Sequence, residues 1–82
     1  LAIKGVASSV VMYKTPIGVS FSARSLGGMN VQVIMEALGG GGHQTMAGAQ
    51  IPDITPNEAK EKLLAAIDDY YEKAAGHADD QI

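Results

Sequence analysis

The segment Ile17-Gly18-Val19-Ser20-Phe21-Ser22-Ala23-Arg24 alternates between apolar and small or polar side chains without a break. Such a period of two marks a strand with one face toward a core. It assigns Ile17, Val19, Phe21 and Ala23 inward, and Gly18, Ser20, Ser22 and Arg24 outward. Upstream, residues 6–13 are rich in β-formers and free of glycine and proline, and read as a second strand. Lys14-Thr15-Pro16 makes the turn, with proline presetting φ. Two strands so closely joined form an antiparallel hairpin. This places Arg24, the chain's only arginine, at a strand end on the outward face. Two roles fit it there: a solvated strand end, or a bidentate grip on phosphate.

Past the hairpin, 25–29 is a loop and Asn30 is a good N-cap. Val31, Ile34, Met35 and Leu38 follow at helical spacing, a narrow apolar stripe about two turns long. Gly39 closes this helix, and Gly40, Gly41, Gly42 and His43 come next. A glycine inside a regular element costs roughly 0.5–1 kcal/mol relative to alanine, so a run of four is expected in neither helix nor strand. One glycine suffices for a helix cap. The others read either as a loose linker or as a loop of bare amides that cradles an anion, with His43 as donor or acceptor at its end. A strand is expected over 45–51, bent at Gly48, and 52–54 is a connector.

Thr55-Pro56-Asn57-Glu58 is the strongest local signal: threonine at N-cap, proline at N1 and glutamate at N3 make a capping box. The helix it opens is expected to run to about Ala75, with Gly76 at C′. Ala59, Leu63, Ala66, Ile67, Tyr70 and Ala74 form its inward stripe. Glu58–Lys62 and Asp69–Lys73 are i, i+4 pairs on a solvated face. The expected fold is α+β: a small mixed β-sheet, an N-terminal hairpin plus a third strand, packed against a short and a long helix. It occupies 6–75, with 76–82 as a tail. Leu1-Ala2-Ile3-Lys4-Gly5 reads as the last turn of a helix closed by Gly5, so the chain is expected to be a domain cut from a larger protein.

Composition narrows the chemistry. The 82 residues, 46% hydrophobic and 18% charged, make one small globular domain. No cysteine is present, which excludes a disulfide framework, a zinc ribbon and a thiol nucleophile. No apolar run approaches the ~18–20 residues of a membrane span. The net charge of −3 divides into +2 over 1–52 and −5 over 53–82, so the glycine run lies in the mildly positive part. That suits an anionic ligand and is too weak for a duplex-binding patch. Two histidines are few for a catalytic metal, and His77-Ala78-Asp79-Asp80 sits on the tail with no element to fix it. The glycine run lacks the Gly-Lys-Ser/Thr ending of a Walker loop and follows its helix, where a phosphate loop precedes one. The residues therefore describe a binding module for a phosphate-bearing ligand. Of Phe21, Tyr13, Tyr70 and Tyr71, three are expected inside, leaving little for base stacking.

Ser22-Ala23-Arg24-Ser25, Asn30-Val31, and Gly39 to His43 with Ala47-Gly48 beyond it together resemble the DHH-associated domain of the first subtype, the C-terminal half of DHH-type phosphoesterases. The resemblance covers about residues 6–74. Within that family, Ser22 through Gln32 look most similar to membrane-anchored bacterial phosphodiesterases that cleave cyclic di-AMP. The resemblance implies a parent protein anchored in the bacterial membrane, with a PAS-like sensor, a degenerate cyclase domain and a DHH domain ahead of this cytoplasmic portion. The DHH domain would hold two manganese ions and activate water; this domain would hold no cofactor and make no membrane contact. It would close over the cleft and bind a nucleotide or short oligonucleotide through Arg24, Gly40, Gly41, Gly42 and His43, with Asn30 as a further contact. A second copy of the chain is a candidate partner. Many members read Ala-Ala-Gly where this chain has Met46-Ala47-Gly48, and the bulkier Met46 bears on nucleotide fit. The alternative is a general single-stranded nucleic-acid-binding module of an exonuclease-like protein.

Overall fold

The computed structural model describes the backbone of residues 2–3, 8–26 and 29–80, and the side chains of 8–26 and 29–73. In chain order its elements are β1 (Ala2–Ile3), β2 (Ser8–Thr15), β3 (Gly18–Ser25), α1 (Val31–Ala37), β4 (Gly41–Gly42), β5 (Met46–Pro52) and α2 (Pro56–Asp80). The strands form one sheet in the order β1-β2-β3-β5-β4. Every pairing is antiparallel, so the α+β class holds while the sheet is not mixed.

The hairpin closes at the Thr15–Gly18 pair, which leaves Pro16-Ile17 as a two-residue loop, slightly later than the turn expected from sequence. Thr15 Oγ1 accepts the Gly18 N–H at 3.1 Å. Ile17 consequently belongs to the turn and is 59% exposed, although the alternation had assigned it to the core. Gly18 is required by packing: a Cβ there would collide with the Ile51 carbonyl oxygen and lie 2.8 Å from the Pro52 Cα.

The inward residues of the three long strands line up across the ladder as Val10–Ala23–Ala47 and Met12–Phe21–Ala49. Both helices cover this face. Val31, Ile34, Met35 and Leu38 of the first, and Ala59, Leu63 and Ile67 of the second, complete one core with Val10, Val19, Phe21 and Ala23. At one end of it Ser8 Oγ donates to Ser25 Oγ at 3.0 Å, a buried polar pair that satisfies itself. The predicted α1 stripe is buried; of the α2 stripe Ala59, Leu63 and Ile67 are buried, Ala66 and Tyr70 are half-buried, and Ala74 lies outside the described side chains.

Three expectations change. Ala2–Ile3 is a strand paired with Ser8 and Ser9 instead of a helix end, because an edge of β2 is open to it; Gly5 lies outside the described residues. Gly41 and Gly42 form a short strand, since pairing with Gly48 and Ala47 satisfies backbone that a free loop would leave to water. Finally, α2 does not stop near Ala75 but continues through Gly76 to Asp80. A mid-helix glycine costs about 1 kcal/mol, and alanines at 74, 75 and 78 with no proline nearby let the helix propagate past it. His77-Ala78-Asp79-Asp80 is thus helical in backbone, and its side chains lie outside those described.

Candidate functional site

The helices cover one face of the sheet; the other is assembled from the outward residues of the same strands. Arg24 pairs with Ser9 on one side and Met46 on the other. The His43 N–H donates to the Met46 carbonyl at 2.7 Å, which carries the β4–β5 register one residue further and sets His43 beside Met46. One row across the open face therefore reads Ser9, Arg24, Met46, His43. The next reads Val11, Ser22, Gly48, Gly41, and the third Tyr13, Ser20, Gln50. Arg24, Met46 and His43 are all exposed. Arg24 and His43 stand two interstrand spacings apart, about 10 Å.

The connection that carries His43 is tied down at both flanks. The Ser25 N–H donates to the Thr45 carbonyl at 2.9 Å and the Val31 N–H to the Gln44 carbonyl at 3.1 Å. Those two bonds clamp the β4–β5 turn between the end of β3 and the start of α1, so Arg24, His43 and Asn30 all gather at one end of the sheet. Asn30 is chiefly a cap. Its Oδ1 accepts the Gln32 N–H at 3.1 Å, and its own N–H donates to the Tyr70 hydroxyl at 3.0 Å. Tyr70 was legible only as part of the α2 stripe; that its hydroxyl reaches the α1 cap depends on helix packing, which no local pattern encodes.

Three glycines of the run have separate structural reasons, and the fourth has none. Gly39 has φ +88°, and its N–H donates to the Glu36 carbonyl at 3.0 Å while the Gly40 N–H donates to the Met35 carbonyl at 2.8 Å. Those two bonds are the Schellman closure of α1. Gly40 is also crowded: a Cβ would collide with the Gly48 carbonyl oxygen and lie 2.6 Å from the Ala49 Cα. Gly42 has φ +144°, and its Cβ would sit 2.6 Å from the Ala47 Cα. Gly41 alone has neither constraint, with nothing within 4 Å of a Cβ and no positive φ. The expected cradle of three bare amides is accordingly reduced, because the Gly40 amide joins that of Gly39 in closing the helix. The His43–Met46 pair is hydrogen-bonded, so ladder alternation makes Gly42–Ala47 a non-bonded pair and turns the Gly42 N–H toward the open sheet edge.

Ser22 and Gly48 also lie on this face and are not among the site residues expected from sequence, and Met46, expected only to bear on nucleotide fit, lies there too. The period-two pattern that put Arg24 outward would have found Ser22; the positions of Met46 and Gly48 required the β3–β5 register. Among the described residues no group of three or more His, Cys, Asp or Glu side chains comes together.

Matched against known families, the chain belongs to the DHHA1 domain family, whose model covers residues 1–73. The DHH-associated domain expected from sequence is thereby borne out. Its relatives include the cyclic-di-AMP phosphodiesterase GdpP of Geobacillus thermodenitrificans, 56% identical over 73 residues, which are 88% of this chain and 11% of that protein. The cyclic-di-AMP phosphodiesterase PdeA of Listeria monocytogenes is 51% identical over 74 residues, 87% of this chain and 11% of that protein. The bifunctional oligoribonuclease and PAP phosphatase NrnA of Thermus thermophilus is 40% identical over 65 residues, 79% of this chain and 20% of that protein. The chain thus spans about a tenth of the length of the first two.

Proposed function

We propose that this domain is the nucleotide-holding part of a manganese-dependent phosphodiesterase acting on cyclic di-AMP or short oligonucleotides. In this reading the metal pair sits on a DHH domain of the same protein, anchored in a bacterial membrane. The observation that carries it is Gly41. It is the one residue of the run whose missing side chain the fold does not need, and it lies on the same open face as Arg24. A residue kept bare toward solvent, on a face shared with the only guanidinium, is what close approach of a phosphodiester requires.

The parts divide accordingly. Arg24 takes a phosphate oxygen pair in its planar fork, and His43, across Met46, donates to the same or the neighbouring phosphate. The Gly42 N–H offers a backbone donor at the edge. Asn30 Nδ2 can reach the sugar or base from the α1 end while Oδ1 holds the cap. In this reading bond cleavage belongs to the DHH domain. The names of the relatives favour a cyclic dinucleotide, and the oligoribonuclease among them keeps short single strands in view.

The test is a titration of the chain with the linear adenine dinucleotide and with a longer single strand, at two salt concentrations. Preference for the dinucleotide, lost in Arg24→Ala and His43→Ala, supports the reading. Affinity that grows with strand length and falls steeply with salt replaces it with the general single-strand module. Hydrolysis by this chain with manganese alone would contradict the assignment of chemistry elsewhere.

A further inference from the structure

Val11, Tyr13 and Met46 stand exposed on the open face, and of these Met46 shares a row with Arg24 and His43. Met46 is 52% exposed at the start of β5, outward-facing, with Arg24 paired to it on one strand and His43 on the other. With His43 on its β4 side, the bare surface beside it lies toward the next row of the open face. Gly48, two residues on, and Gly41, paired with Gly48, carry no side chains, and a Cβ at Gly41 would meet nothing within 4 Å. A flexible thioether so placed offers an aromatic ring a polarizable contact that neither the guanidinium nor the backbone provides.

We propose that Met46 is the base-recognition residue of the nucleotide site: its side chain packs against the nucleobase whose phosphate is held by Arg24 and His43. This rests on the nucleotide-binding reading above. Met46 lies one interstrand spacing, about 4.8 Å, from Arg24. A nucleotide gripped by its phosphate at Arg24 can therefore turn its base onto Met46 without leaving the row. Because the contact is with a ring face, Met46 favours purines over pyrimidines by stacking area and reads no hydrogen-bonding edge.

The experiment compares two probes on the full chain: the linear adenine dinucleotide, and the same sugar–phosphate backbone without bases. Binding is followed by calorimetry and by NMR of the methionine methyl groups. The dinucleotide is expected to shift the Met46 methyl upfield by ring current, and the abasic probe is not. Met46→Ala is expected to weaken dinucleotide binding about 5- to 10-fold. It should leave the abasic probe unchanged, and Met46→Leu should restore most of the loss. Equal dinucleotide affinity in Met46→Ala, or equal loss of both probes, overturns the proposal. If Arg24→Ala weakens both probes while Met46→Ala weakens neither, only the base contact fails. If the unsubstituted chain binds neither probe, the nucleotide-binding reading fails and this one with it.

Discussion

The two faces of the sheet are written in the same three strands, one residue apart. On the helix-covered face every position of the central rows is filled: Val10–Ala23–Ala47 and Met12–Phe21–Ala49 pack beneath α1 and α2. On the open face the matching rows hold Ser9–Arg24–Met46 and Val11–Ser22–Gly48. The first set is explained by what the fold needs; the second is not. A period-two code lets one strand serve a core and a surface at once, and substitutions can separate the two.

The largest effect expected is on the covered face. Phe21→Ala removes a ring that is 3% exposed, at a cost of about 3–5 kcal/mol. For a domain of this size, with a total stability of roughly 5–10 kcal/mol, that is a large share. Urea denaturation should show a much lower midpoint. Arg24→Ala, three residues on and facing the other way, should leave that midpoint within about 0.5 kcal/mol, as exposed substitutions usually do. Its effect should appear in dinucleotide binding instead, at about 1.5–3 kcal/mol for a lost charged hydrogen-bond partner. Arg24→Lys should recover part of it, since the charge returns without the fork. A fall in stability on Arg24→Ala comparable to that of Phe21→Ala would erase the distinction between the faces.

The glycines sharpen the same contrast within two neighbouring residues. Gly42→Ala places a side chain at φ +144° and against the Ala47 Cα, so it should destabilise by about 1–3 kcal/mol. Gly41→Ala meets no atom and no forbidden φ, and by restricting the unfolded chain should leave stability unchanged or raise it by up to about 1 kcal/mol. Gly41→Ala should nevertheless weaken dinucleotide binding, because its methyl projects onto the open face. Paired denaturation and binding curves of the two variants check this; unimpaired binding by Gly41→Ala would remove the main support for a ligand there.

How much of this was legible follows from the range of each signal. The strands of the hairpin, the α1 stripe, the Asn30 cap and the capping box at Thr55 are local patterns, each displayed by the sequence within about eight residues. The outward direction of Arg24 was equally readable. The glycine run misled because four glycines in a row look like one feature, whereas three of them answer to different neighbours (Met35 and Glu36 in α1, Gly48 and Ala49, or Ala47 in β5) and Gly41 to none. Those neighbours are set by the pairing of β4 with β5, a long-range fact. The end of α2 was misread for the opposite reason, since Gly76 is a genuine local stop signal that the alanines around it outweigh.

The smallest effect should come from the end of the sheet opposite the Arg24 row, where α2 begins. There the Asp53 N–H donates to the Ile17 carbonyl at 2.8 Å, and Thr55 and Glu58 cap the helix reciprocally. The Thr55 N–H donates to Glu58 Oε1 at 3.2 Å, and the Thr55 hydroxyl donates to the same oxygen at 2.9 Å. These bonds hold the Glu58 carboxyl below its usual value of 4.5, the backbone N–H first and the hydroxyl second, with Lys62 adding a little. A carboxyl whose folded value is depressed binds fewer protons folded than unfolded. Its contribution is complete above the unfolded value and is lost as pH falls below about 4.5 toward the lower folded value. Because Glu58 is exposed, the slope should be shallow. Thr55→Ala should cost about 1 kcal/mol at neutral pH through the lost cap, and should flatten that acid slope. Dinucleotide binding at neutral pH should be unchanged, since nothing near Thr55 faces the Arg24 row. A Thr55→Ala variant that lost binding while remaining folded would show the two ends of the sheet to be coupled, and the open face could no longer be treated as independent of the helices behind it.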